Sequence, residues 1–274
     1  MRLILSAAVL LGLTACEPSA PAYIAACQQT VRDYAVLRDE GPADQYADLF
    51  TEDGTFDIEV LPAFELDKGE EQDARTCNQA IEYANSGKTT CIISNGDANV
   101  FGMATLIVEL IDEKNLWDEI ELISLPGVTS FLAAASKVGA PVSGDFAIIS
   151  LSDRLTDINL IDKRVKSALE CDFVIGVYNP KSKKRIKPYQ NFLARLSEVG
   201  ERIAIIAQNV GRDDKEDITI TTTTELIVQD IQHEKVGMNT IIIICNSNSK
   251  LTSNGLVLTP RGYLNKYDTT GELK

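Results

Sequence analysis

Residues 94–103 (SNGDANVFGM) carry the residue types in this chain that best suit ligand binding. They follow a short apolar run and precede a longer one, which predicts a strand, a turn and a helix. Gly96 lets the backbone come close to a ligand, and Asp97 can accept hydrogen bonds from hydroxyl groups or cap the helix. The same pattern is also typical of a plain strand–turn–helix corner, so this segment alone does not require a cofactor.

The densest group of basic residues follows another predicted strand, and its members are Lys181, Lys183, Lys184, Arg185 and Lys187. Such cations can pair with the carboxylates of an anionic ligand, although a solvated loop has the same composition. The formal net charge of −14 argues against general nucleic-acid binding. The six cysteines form no C-x-x-C pair, so no zinc site is predicted. The single histidine, His233, lies in a polar segment and is expected at a surface helix end.

From residue 70 onward, strand-like apolar runs alternate with helical patterns, which predicts an α/β fold. We predict strands at 89–94, 121–125, 146–150, 172–178, 202–208, 218–222, 238–245 and 256–259, and helices at 70–86, 102–111, 129–138, 157–169, 189–199 and 223–232. The run 238–245 (MNTIIIIC) is apolar on both faces and is expected to be a central strand. A break near residue 150 predicts two lobes, and a cleft between lobes is a natural ligand site.

The first 57 residues have a different character. Residues 1–16 combine one basic residue, an apolar run and the sequence Leu-Thr-Ala-Cys, which resembles a bacterial lipobox and predicts a lipoprotein signal lipidated at Cys16. An ordinary secretory signal is the alternative. Residues 17–57 resemble the opening of an NTF2-like (SnoaL-like) domain, and residues 58–69 are interpreted as a junction.

Six segments resemble, in the same order, those of the tetrapyrrole methylase family, most closely its precorrin-3B C17-methyltransferase group. They are 94–103, 125–130 (LPGVTS), 139–141 together with 145–153 (GAP and DFAIISLSD), 177–185 (VYNPKSKKR), 209–212 (NVGR) and 259–263 (TPRGY). One such match would carry little weight, but six collinear matches over about 200 residues are specific. Asn99 stands where the family commonly has glycine.

The resemblance implies an enzyme that methylates C17 of a tetrapyrrole with S-adenosyl-L-methionine, with ring contraction, in cobalamin biosynthesis. S-adenosyl-L-homocysteine would be the second product, and no metal is implied. The cofactor-binding residues that the resemblance implies are Asn95, Gly96, Asp97, Val100, Thr129, Ser130, Asn179 and Gly211. The basic residues implied for the carboxylates of the macrocycle are Lys181, Lys183, Lys184 and Arg185. Family members commonly pair, so a homodimer is expected, whereas no general base is identified.

Family members begin with a strand and a G-x-G-P-G loop, and no such loop sequence precedes residue 70. We therefore predict a two-lobed methylase-like α/β fold that lacks its first strand. We expect the enzyme to turn over its substrate poorly or not at all. Its N-terminal lobe would span residues 70–151 and its C-terminal lobe residues 152–274.

The parts of the chain predict different locations. The methyltransferase region implies the cytoplasm, where the cofactor is made, whereas the lipobox implies a membrane anchor through Cys16. Two alternatives follow from this conflict: an exported NTF2-like lipoprotein that serves as a binding module, and an inactive fusion of two truncated genes.

Overall fold

The computed structural model describes residues 2–8, 69–87, 90–212 and 215–274. These residues form two compact units that divide between Thr129 and Ser130. The predicted lipidation at Cys16, the NTF2-like segment 17–57 and residues 58–68 of the junction lie outside the described residues. Within the described part, every helix is too short or too polar to cross a membrane.

The first unit contains a parallel sheet of three strands with two helices. Strand β1 (Arg2–Ala8) lies between β2 (Thr90–Asn95) and β3 (Glu121–Ser124). Helices α1 (Gly69–Asn85) and α2 (Ala104–Glu113) contribute apolar faces to one core. The sheet places the carboxyl ends of all three strands at one edge.

The prediction that the first strand is missing was wrong. Ile4 pairs with Cys91 of β2 on one side and with Ile123 of β3 on the other, so β1 is the middle strand of this sheet. The cause of the error is physical, because a short uncharged apolar run suits both a signal peptide and a strand inside a parallel sheet. Periodicity does not separate the two.

The second unit is built on a five-stranded sheet in the order β5-β6-β9-β7-β8. Its strands are β5 (Phe146–Ser150), β6 (Val174–Tyr178), β7 (Ile203–Gln208), β8 (Asp217–Thr222) and β9 (Thr240–Ile244). Strands β5, β6 and β7 run in one direction, and β8 and β9 run in the other. The predicted central strand is confirmed, since β9 is buried along its whole length.

Helices and short strands complete the second unit. The helices are α3 (Ser130–Val138), α4 (Ile158–Glu170), α5 (Lys187–Leu196), α6 (Thr223–Gln229) and α7 (Tyr263–Lys266), with a 3-10 turn at Asp230–Gln232. A second small sheet joins β4 (Gly139–Ala140), β10 (Lys250–Leu251) and β11 (Val257–Leu258).

Helix α3 packs closely on the main sheet of this unit. A Cβ atom at Gly176 would overlap the ring of Phe131, so glycine is needed where this helix meets β6. Helices α4 and α5 contribute to the separate core on the other face of the sheet. The five-stranded sheet therefore lies between two packed layers.

The observed division differs from the predicted lobe boundary at residues 151 and 152. Strand β5 was assigned to the first lobe, but it pairs in parallel with β6, from Phe146 opposite Val174 to Ser150 opposite Tyr178. The sequence break near residue 150 therefore marks the loop that leaves β5 and not a boundary between units. Cys91 and Cys245 are both buried.

Candidate functional site

Asp97 joins two loops at the carboxyl edge of the first sheet. Its Oδ2 accepts a hydrogen bond from the Gly127 N–H at 2.8 Å, and its Oδ1 accepts one from the Asn99 N–H at 2.8 Å. Gly127 lies after β3 and Asp97 lies after β2, so the carboxylate connects the exits of two parallel strands. Ligands of open α/β sheets bind at this edge.

The turn around Asp97 has little freedom to change shape. Gly96 has φ 69°, in the left-handed region that favours glycine. A Cβ atom at Gly102 would come within 2.6 Å of the Ser94 Oγ, so the turn also packs tightly against the end of β2. Val100 is half-buried and donates its N–H to the Asp97 carbonyl at 3.1 Å, whereas Asn95 is exposed.

The pKa of the Asp97 carboxyl group is lowered from its ordinary value of 3.8. Partial burial acts in the opposite direction, but the N–H donors of Gly127 and Asn99 outweigh it because they favour the charged form.

We expect Asp97 to make the protein sensitive to acid. Because its pKa is lower in the folded state, its contribution to the free energy of unfolding is complete above the ordinary value and disappears as the pH falls through the folded pKa. The difference in unfolding free energy between wild type and Asp97→Asn should be constant from pH 7 to about pH 5 and should shrink below about pH 4. Urea unfolding at several pH values measures it, and an unchanged difference at low pH would contradict the assignment.

In the second unit, the candidate residue Ser130 contacts the side chain of Tyr178, and the candidate residue Asn179 follows Tyr178 in the chain. The Tyr178 hydroxyl accepts a hydrogen bond from the Phe131 N–H at 3.0 Å and one from the Ser130 hydroxyl at 3.1 Å. It thereby satisfies an N–H group in the first turn of α3. Sequence analysis did not single out Tyr178, although it lies within the matched segment 177–185. Thr129 is buried and belongs to the first unit.

Asn179 has a fixed conformation at the end of β6. Its φ of 49° lies in the left-handed region, which asparagine tolerates better than most residues. Its Nδ2 donates to the Ser150 Oγ at 3.1 Å, and the Leu151 N–H donates to the Tyr178 carbonyl at 2.9 Å. These two bonds hold the exits of β5 and β6 together.

Gly211 follows β7 and is therefore on the same edge of the sheet as Asn179. Its φ is 77°, and its N–H donates to Glu216 Oε2 at 2.7 Å. Glu216 also pairs with Lys137 at 3.2 Å. Gly211 is thus bonded to the loop before β8. The hydrogen bonds described above for Ser130, Tyr178 and Asn179 do not involve Gly211.

The four predicted basic residues have different surroundings. Lys181 donates to the Ile231 and His233 carbonyls, and burial lowers its pKa. Arg185 donates to backbone carbonyls of the same unit. Lys183 and Lys184 are exposed. Only these two present their side chains to solvent in the way that the predicted substrate-binding role requires.

His233 is buried, at 6% exposure, rather than at the surface as predicted. Its Nδ1 accepts a hydrogen bond from the Lys235 N–H at 3.3 Å. Burial, followed by the nearby Lys181, lowers its pKa, so it is neutral near pH 7. It lines an open groove of about 760 Å³ between β8 and the turn after α6. Both acidic and basic side chains line this groove.

The donor and acceptor types of the candidate residues fit a nucleoside cofactor. The Asp97 carboxylate accepts two N–H groups and has lone pairs left for ribose hydroxyls. Gly96 and Gly127 lie beside this carboxylate and have no side chains, so a ligand can approach their backbone closely. Asn179 uses its amide nitrogen internally, which leaves its amide oxygen as an acceptor.

The chain belongs to the tetrapyrrole methylase family, because the family model described as Tetrapyrrole (Corrin/Porphyrin) Methylases matches residues 1–227. The match includes the residues of β1, in agreement with the strand seen in the first unit. The family also agrees with the predicted α/β methylase-like fold, and it makes the protein a methyltransferase.

Two relatives and one solved structure show which members of the family the chain is similar to. A probable cobalt-factor III C(17)-methyltransferase of Methanocaldococcus jannaschii is 40% identical over 66% of this chain and 72% of the relative. A precorrin-3B C(17)-methyltransferase of Sinorhizobium is 35% identical over 67% of this chain and 73% of the relative. The crystal structure of the methyltransferase CobJ is 30% identical with a TM-score of 0.62, over 69% of this chain and 77% of that one.

Proposed function

We propose that this protein transfers a methyl group from S-adenosyl-L-methionine to C17 of a tetrapyrrole of the precorrin-3B type, within cobalamin biosynthesis. The relatives named for this reaction share 35–40% identity with the chain over about two thirds of its length. The observation that carries the proposal is the Asp97 carboxylate, which joins the loops after β2 and β3 at the ligand-binding edge of the first sheet.

When bound, the cofactor supplies a methyl group that is already activated as a sulfonium. The protein therefore contributes mainly orientation, which can account for a large part of the rate of such a displacement. In this proposal Asp97 accepts hydrogen bonds from the ribose hydroxyls, and the glycine backbone beside it allows close approach. Asn179 is a separate candidate within the second unit, where its amide nitrogen is bonded to Ser150 and its amide oxygen can accept a hydrogen bond.

Lys183 and Lys184 are the candidates for recognition of the carboxylates on the macrocycle. They lie on the loop after β6, beyond Asn179, and both are exposed. We propose that they act on the tetrapyrrole and not on the cofactor, since a tetrapyrrole of this class carries several acetate and propionate groups.

The double variant Lys183→Gln/Lys184→Gln is expected to raise KM for the tetrapyrrole about two- to thirtyfold, because each of the two exposed ion pairs contributes about 0.2–1 kcal/mol. Affinity for S-adenosylhomocysteine should not change. The matched control, Lys163→Gln/Arg164→Gln, removes two exposed cations from α4 and changes the net charge equally. Steady-state kinetics at fixed ionic strength measures the effect, and equal KM values for the two double variants would contradict the assignment.

The whole proposal is tested by incubating the full chain with labelled S-adenosylmethionine and a precorrin-3B or cobalt-factor III substrate. We expect the label in the macrocycle and loss of transfer in Asp97→Asn. Residues 1–69 contain no G-x-G-P-G sequence, so we also propose that turnover is slow. Turnover equal to that of one of the named relatives would contradict slow turnover, and no transfer with any tetrapyrrole would contradict the function.

A further inference from the structure

The guanidinium of Arg185 is held inside the second unit, with only 11% of the side chain exposed. Its Nη1 donates to the Leu151 carbonyl at 2.7 Å and to the Asn179 carbonyl at 3.0 Å. Its Nη2 lies 3.4 Å from the Met238 Sδ, and its Nε lies 3.9 Å from the Asp153 carboxylate. One side chain thus contacts the loops after β5 and β6 and the loop before β9.

A tight turn between Ser182 and Arg185 positions this side chain. The Arg185 N–H donates to the Ser182 Oγ at 3.1 Å, and the Ser182 N–H donates to the Arg185 carbonyl at 3.0 Å. The turn lies between β6 and α5, so the arginine folds back toward the strand end that precedes it.

We propose that Arg185 is a positioning residue that fixes the backbone of Asn179 for cofactor binding. This inference rests on the proposed function, because it takes Asn179 as a residue that touches the cofactor. Asn179 has a left-handed backbone, a conformation that costs free energy and persists only where the surroundings hold it. Two contacts hold it here: Ser150 binds its side chain, and Arg185 binds its carbonyl.

The shared donor also sets the spacing between two strand exits. The same nitrogen of Arg185 binds the carbonyls of Leu151 and Asn179, so the side chain links the two loops directly. The role differs from the one that the basic cluster suggested, which was direct pairing with the substrate. Loss of Arg185 should therefore weaken cofactor binding, whereas loss of Lys183 and Lys184 should weaken tetrapyrrole binding.

The experiment is calorimetric titration of the full chain and its variants with S-adenosylhomocysteine. Arg185→Ala is expected to raise Kd about tenfold or more, because it removes two charge-assisted hydrogen bonds. The matched control is Arg195→Ala, since Arg195 pairs with Asp162 through two hydrogen bonds on the α4 and α5 side of the unit. Both variants should lower Tm, but the control should stay within about twofold of the wild-type Kd.

A purely structural role is separated from positioning by chemical rescue. Methylguanidinium at millimolar concentration should recover part of the affinity of Arg185→Ala and leave wild type and the control unchanged. Arg185→Lys keeps the cation with a differently shaped donor group, so its Kd should lie between those of wild type and the alanine variant. It also provides the test if the alanine variant does not fold.

Three results would overturn the proposal: wild-type affinity in a folded Arg185 variant, an equal loss in the Arg195 control, or no rescue by methylguanidinium. Failure of wild type and control alike to bind S-adenosylhomocysteine would instead contradict the proposed function, and the role of Arg185 would fall with it.

Discussion

The substitution Ile4→Pro is expected to unfold the first unit or to destabilise it by about 2–4 kcal/mol. The backbone of Ile4 pairs on both sides, with Cys91 and with Ile123, and proline cannot donate to a strand ladder. Ile4→Val keeps the backbone N–H and is the control. Hydrogen–deuterium exchange of α1 and β2 measures the effect separately from the second unit.

This experiment also tests the predicted lipoprotein signal. Cleavage at the lipobox would produce a chain that starts at Cys16 and lacks β1, so residues 2–8 cannot serve as both a cleaved signal and the middle strand. We expect a chain that starts at residue 16 to lose the first unit in the same way as Ile4→Pro. If either variant kept native protection in α1 and β2, β1 would not be needed for this unit, and export would be compatible with the fold.

The substitution Asp97→Asn is expected to weaken S-adenosylhomocysteine binding about 10- to 100-fold. The carboxylate accepts N–H groups from Gly127 and Asn99, one on each oxygen. An asparagine side chain has one acceptor oxygen, so its amide nitrogen would face a second donor and one of the two contacts would be lost. The loops after β2 and β3 would separate at the place where the cofactor is proposed to bind.

The control for this variant is Asp268→Asn in the C-terminal segment. Asp268 likewise accepts backbone N–H groups, from Thr270 at 2.8 Å and from Glu272 at 3.0 Å. The Thr270 hydroxyl, which donates to it at 2.7 Å, and these N–H groups lower its pKa. The chemical change is the same, but it lies away from the candidate loops in the chain. Isothermal titration calorimetry should give a wild-type Kd for the control. Equal Kd values for the two variants would remove Asp97 from the proposed site.

Much of the α/β core could be predicted from local patterns because its elements are strongly periodic or wholly apolar. Strand β9 is one case, since an uninterrupted run of β-branched isoleucines favours a strand buried on both faces. Helix α4 is another, because Asp157 caps a clear amphipathic pattern. The signals for these elements lie within each segment.

The rest depends on pairings between segments that no local pattern reveals. The apolar run at residues 2–8 becomes a strand only through β2 and β3, which lie more than 80 residues away. Gly127 and Tyr178 were not predicted as site residues, because their contacts are with distant segments. Gly127 binds Asp97, and Tyr178 binds the start of α3. Arg185 was grouped with its lysine neighbours by charge, although its contacts are with backbone carbonyls.

The central claim is that a nucleoside cofactor binds at the loops that Asp97 joins in the first unit. Hydrogen–deuterium exchange of the full chain, with and without S-adenosylhomocysteine, tests it most directly because it locates the bound ligand along the sequence. We predict added protection in residues 95–103 and 125–129 of the first unit. Protection in residues 176–186 of the second unit is a separate readout, which tests the role proposed for Asn179. Protection confined to other segments, such as the groove beside His233, or no change at saturating ligand, would contradict the claim.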